Sequence, residues 1–336
     1  MATIPSQGNM KLLYAFWGLT TIFLFWAALI RATREWGGEK LQGSAFGILE
    51  GGRGLAAAVI ASVSVAIFAS LLPVDVISAS LVQKTEAFKY VILFVSIFTL
   101  IVSVLVYFAL PSSKKQKSQK INNISINDIY QVISMPVVWL QAVIIICAYV
   151  GYKVTDDFSL YARDVLKFDE VKAAGVGAVS LWMRPVVAIL AGFIADRINA
   201  SKMIIFSFAF MLIGGSVIGS GTLNQGVFWY FLITIITISI GIYALRGLYF
   251  AIMEEGKIPL IYTGTTVGII SVLGYTPDIF MGPLMGYLLD RSPGAAGHQH
   301  VFLILAGFSA IGLITAVWFR RITKSYKNPV LHKEIL

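Results

Sequence analysis

Long apolar runs punctuated by short polar stretches dominate the chain. Nine of them reach the roughly 20 residues that a helix needs to cross a bilayer: 11–30, 44–72, 88–110, 132–153, 173–195, 203–220, 227–245, 260–288 and 301–319. They are too long and too rich in glycine for barrel strands, and in lipid only helices or closed barrels satisfy their own backbone. The pattern therefore predicts an all-α polytopic membrane protein with nine transmembrane helices. Between the third and fourth runs lies a basic, Ser/Gln-rich linker, followed by an amphipathic piece around 126–133 that reads as an interfacial helix. The divisions are 1–110 with three spans, a cytoplasmic linker 111–130, a six-span part 131–320 and a cytoplasmic tail 321–336.

Composition agrees, with 57% hydrophobic and only 13% charged residues, about half the charged share of ordinary soluble domains. A net charge of +9 raises the question of nucleic acid, but its distribution answers it. Sixteen of the 26 Lys and Arg fall in alternate loops and the tail, the positive-inside bias of a membrane protein. Arg246 is counted among these cytoplasmic residues. The C-terminus is then cytoplasmic, the N-terminus outside, and the location a cell (inner) membrane. The single Cys147 excludes an intrachain disulfide.

The two sides of the linker echo one another. "AALIRAT…GSAFGI" at 27–48 aligns with "YALRGLY…GTTVGI" at 243–269, pairing Arg31 with Arg246, Gly43 with Gly264 and Gly47 with Gly268. The first three spans thus correspond to the last three of the following six. Six-helix parallel repeats build major facilitator transporters, and the expected arrangement is a bundle of that type, 3 + 6, lacking three helices at its start. "AGFIADRINASK" at 191–202 resembles that superfamily's Gly-x-x-x-Asp-Arg-x-Gly-Arg/Lys-Lys loop. Gly192, Asp196, Arg197 and Lys202 match it, while Asn199 stands where glycine is usual. The resemblance implies a gating loop: Gly192 permits close helix approach, Asp196 accepts from helix N-terminal amides, and Arg197 pairs with Glu254 or Glu255. "YVGYKVTDDFSLYARDVLKF" at 149–168 resembles the organophosphate and organic-anion branch. Where phosphate-exchanging members carry an arginine, Tyr152 aligns, with Lys153 beside it, which argues against a phosphate ester.

Charges within the spans are the candidate site. Glu50 and Arg53 lie at i and i+3, one helix face, where they can neutralise each other. Either they tie helices together or they border a transport path. Arg184 lies about 20 Å from the end of its span at 1.5 Å per residue, near the midplane, where charges usually face a cavity or pair. Asp278, between Pro277 and Pro283, is a candidate partner for Arg184 or a proton or cation site. Lys153, Asp156 and Asp157 stand near the outer mouth, as solvated ends or as a gate. "HQH" at 298–300 lacks a third ligand for a metal, and no catalytic constellation or cofactor motif is present. The expected function is secondary active transport of a small organic anion, driven by a proton, sodium or a counter-anion. The alternative is a truncated, non-transporting interaction or sensor protein.

Overall fold

A computed structural model describes residues 6–71, 80–109, 126–168, 170–222 and 228–326. Every regular element among them is helical. The basic linker at 111–125 and the end of the tail at 327–336 lie outside the described residues. The chain divides into two compact units, one of residues 1–21 and 56–125, the other of 22–55 and 126–336.

Eight helical segments among the described residues are long and apolar enough to span a membrane, against nine predicted. The difference is at the start. Residues 11–30 fold as α1 (Gln7–Gly18), a π-helical stretch Leu19–Trp26 and α2 (Ala27–Gly37), so no single regular helix there has the full length. The first unit holds α1, the distal part of α3 (Gln42–Ser70) and α4 (Leu81–Ala109). Its α4 exposes Phe98, Leu100, Leu105 and Phe108, as a lipid-facing helix does.

The second unit carries α5 (Ile126–Ile133), α6 (Pro136–Val154), α7 (Asp157–Asp164), α8 (Glu170–Ile198), α9 (Ala200–Gly219) and α10 (Phe228–Leu248). The short α11 (Ile252–Glu255), a 3-10 turn Leu260–Tyr262, α12 (Thr263–Gly274), α13 (Pro277–Arg291) and α14 (Ala295–Ser325) follow. Pro136 opens α6 at its first position, where a missing N–H is harmless. Thr276–Pro277 divides the predicted span 260–288 into α12 and α13, because proline both opens a helix and cannot continue one. α9 packs on α14 and α10, and α6 on α14 and α12, around fully buried Ile144, Ile145, Phe208, Ile238 and Phe302.

The proximal part of α3 is held against α8 by small residues. A Cβ at Gly47 would lie 2.6 Å from the Ala188 carbonyl oxygen, and one at Gly43 2.5 Å from that of Gly192. Only glycine allows the two backbones to come this near. That approach carries Glu50 of α3 to the face of α8 that bears Arg184.

Candidate functional site: one carboxylate among three guanidinium groups

Glu50 is 3% exposed, and both of its oxygens are engaged by cations. Arg53, one turn along α3, donates from Nη1 to Oε2 at 3.0 Å. Arg184 of α8 donates to Oε1 from Nε at 3.0 Å, with Nη2 at 2.8 Å. Arg246 of α10 donates from Nε to the same oxygen at 2.7 Å. Three guanidinium charges against one carboxylate leave two positive charges, and the Arg184 and Arg246 side chains are only 7% and 6% exposed.

Aromatic faces take up part of that excess. The Arg246 guanidinium carbon lies 3.9 Å from the Tyr152 ring centre and 5.6 Å from that of Tyr149. The Arg53 guanidinium carbon is 4.7 Å from the Trp26 ring centre. Such contacts are worth roughly 2 kcal/mol when desolvated. Trp26 and Tyr149 both meet Tyr275 edge-on, closing an aromatic wall. Two buried donors in this wall, Arg246 Nη1 and Trp26 Nε1, have no acceptor among the described residues. Behind it, Ser180 contacts Ser239 at 2.9 Å and the Tyr243 hydroxyl at 3.2 Å. The site therefore holds three guanidinium groups around one carboxylate, with two buried N–H donors unmet by a protein acceptor among the described residues.

Of the residues singled out in sequence, Glu50, Arg53, Arg184 and Tyr152 meet here. Asp278 does not reach Arg184, because Glu50 occupies that arginine; Asp278 instead lies 3.4 Å from Lys153, which also approaches Asp156 at 3.7 Å. Asp157 is not part of that exposed group. It is fully buried, with its carboxylate oxygens 2.9 and 3.0 Å from His298 Nδ1, which joins the start of α7 to α14. The "HQH" stretch thus contributes a packing contact between helices. Arg246 was missed, having been placed in a cytoplasmic loop because the apolar run ends at residue 245. α10 continues to Leu248, and Glu50 supplies the counter-charge that lets an arginine be buried there.

At the end of the bundle where α8 meets α9, the Asp196 carboxylate caps α3. It accepts from the Gly43 N–H at 2.7 Å and the Ser44 N–H at 2.8 Å, and from the Ser44 hydroxyl. Gly192 packs on Gly43 just above it. Arg197, expected to pair with Glu254 or Glu255, does neither. Arg34 takes Glu254 at 3.0 Å and also donates to the Thr263 hydroxyl at 2.8 Å and the Ile258 carbonyl at 2.6 Å. Glu255 accepts from the Ser201 N–H at the start of α9. Geometry decides this: Arg34 approaches from inside, nearly fully buried, whereas Arg197 and Lys202 are at the rim. Burial lowers the Arg34 pKa from its usual value, opposed by the hydrogen bond and charge of Glu254, and a guanidinium stays charged regardless.

Known proteins resemble this chain along most of its length. It is 26% identical over 348 residues to the inner membrane protein YqcE of Escherichia coli (strain K12), spanning 98% of this chain and 78% of that one. It is 24% identical over 341 residues to the inner membrane protein YihN of the same organism, spanning 99% and 79%. Among solved structures, an outward-facing bacterial homologue of the iron transporter ferroportin matches with a TM-score of 0.51 at 12% identity. The match covers 76% of this chain and 59% of that one, so the chain spans about three fifths of its length and the likeness is one of fold. The family model of the Major Facilitator Superfamily matches residues 1–274. With apolar helices long enough to span a membrane and a family match over most of its length, the chain belongs to the Major Facilitator Superfamily of membrane transporters.

Proposed function

We propose that this protein is a secondary active transporter of the inner membrane that carries a small organic anion, a carboxylate or sugar acid, by alternating access. The observation behind the reading is the charge imbalance around Glu50. Arg184 and Arg246 are buried with the single carboxylate while Arg53 is partly exposed; excess positive charge in a helical interior is unfavourable, and an anionic solute corrects it. The unsatisfied Arg246 Nη1 and Trp26 Nε1 are ready donors to it. Tyr152 in place of an arginine favours carboxylates over phosphate esters. The driving species is a proton, sodium or an exchanged anion, and the clustering of basic residues in alternate loops orients the C-terminus to the cytoplasm. Proteoliposomes test the reading directly. Uptake should be seen for members of a panel of monocarboxylates, sugar acids and dicarboxylates. Neutral sugars and amines of equal size should not accumulate. Accumulation of the neutral compounds alone would overturn it.

The Arg34 and Asp196 networks support the alternating-access part. Both bind the start of α3 or the end of α2 to α8, α11 and α12, a closure that must break for the site to open at that end. Losing a hydrogen bond to a charged group costs about 1.5–3 kcal/mol, a tenfold to hundredfold shift in an equilibrium. Arg34→Ala should therefore raise alkylation of a thiol placed at buried Ala195, in a Cys147→Ser background, by about tenfold or more. Unchanged alkylation would show that Arg34 does not hold this end shut.

A further inference from the structure

Where α2, α3 and α8 end together, a groove of about 640 Å³ runs along the surface of the second unit. Its walls are Trp36, Leu41, Ile48 and Phe193, all exposed, Trp36 at 67%. Lys40 and Arg197 stand at its mouth. Both are exposed, and neither has an ion-pair or hydrogen-bond partner among the described residues. The carboxylate that also borders it, Asp196, is saturated by three donors from the start of α3, so the positive end of that helix offsets its charge.

We propose that this groove binds an anionic phospholipid, with the headgroup phosphate between Lys40 and Arg197 and an acyl chain along Ile48 and Phe193. The spans fix the level. α3 enters its span at Gln42 and α8 leaves its own at Ile198, so the two cations sit where headgroups lie. Ile48 is six residues inside, about 9 Å deep, and Phe193 five, about 7.5 Å, at 1.5 Å per residue. Cations above an apolar wall that descends into the acyl layer match a lipid, as basic pockets between spanning helices do. A soluble anion would leave that wall unused. Trp36 at the mouth fits the interfacial preference of tryptophan. The lipid touches the same α3–α8 seam that Asp196 caps, so its occupancy bears on how firmly this end is closed.

Trp36 reports on the groove. The purified chain in mixed micelles is titrated with brominated phosphatidylglycerol or brominated phosphatidylcholine, and the difference between wild type and Trp36→Phe isolates the emission of Trp36 from that of the other six tryptophans. A cation near an anionic headgroup contributes about fivefold in affinity. Quenching by the anionic lipid should thus occur at about 25-fold lower mole fraction than by the zwitterionic one. Lys40→Gln should leave about fivefold, and Lys40→Gln with Arg197→Gln none. If the double variant does not fold, Lys40→Gln decides alone, since Lys40 lies in an exposed turn. Equal quenching of the wild type by both lipids, or a preference that survives replacement of the cations, overturns the proposal. So does protection from quenching by millimolar inorganic phosphate, which would assign the cations to a soluble anion.

Discussion

Glu50→Gln should destabilise the protein by about 3–5 kcal/mol, the usual consequence of removing one partner of a buried ion pair, and added anions should reverse part of the loss. Among the described residues this carboxylate is the one negative group that holds Arg53, Arg184 and Arg246 together. Glutamine has nearly the same shape and can still accept from one guanidinium, so packing is preserved and charge alone is lost. Three positive groups then face one another, two of them less than a tenth exposed. Thermal unfolding in detergent, followed with and without acetate or formate, checks this. A lower midpoint that rises with millimolar anion is expected, because a small anion can stand where the carboxylate stood and binding to the folded state stabilises it by mass action. A midpoint equal to wild type would mean the guanidinium groups find other counter-charges, and the positive site argued above would lose its basis.

How far the site could be read in sequence follows from how local each signal is. Glu50 and Arg53 are one helical turn apart in an otherwise uncharged run, so spacing alone places them together. Arg184 stands out by its depth. Their meeting is a different matter, because it depends on Gly43 and Gly47 letting α3 lie against α8, and that is a property of two helices 134 residues apart in sequence at the Glu50–Arg184 contact. Arg246 carried a signal that was passed over. It sits at the edge of an apolar run, where an arginine ordinarily reaches for water, and only the tertiary position of Glu50 makes burial the better outcome. The Asp196 loop could be placed from its resemblance alone, including its affinity for a helix N-terminus. The choice of Arg34 over Arg197 as the partner of Glu254 could not, since both lie at span ends and nothing local separates them. Asp157 was misplaced for a related reason: it follows Asp156 at a span end and looks solvated, but α7 turns it inward onto His298.

Arg246→Ala should raise the KM for the anion about tenfold to a hundredfold while leaving the fold intact, and this contrast separates a binding residue from a structural one. Without Arg246, Glu50 keeps Arg184 at 2.8 Å and Arg53 at 3.0 Å, so no buried charge is stranded and the stability loss should be far smaller than for Glu50→Gln. The anion, however, loses the one guanidinium of these three that has a buried donor without a protein acceptor among the described residues. At about 1.5–3 kcal/mol for a hydrogen bond to a charged group, its affinity should fall tenfold to a hundredfold or more. Arg246→Lys sharpens the reading. It retains the charge, but an ammonium cannot lie flat on Tyr152 while directing separate donors at Glu50 and at a ligand. The lysine variant should therefore fold like wild type and still transport poorly, with the defect in KM. Uptake kinetics in proteoliposomes, set beside the unfolding midpoint of each variant, give the comparison. If Arg246→Ala kept a wild-type KM, or lost activity only in proportion to stability, Arg246 would be a packing residue and the anion would have to be held by Arg184 and Arg53.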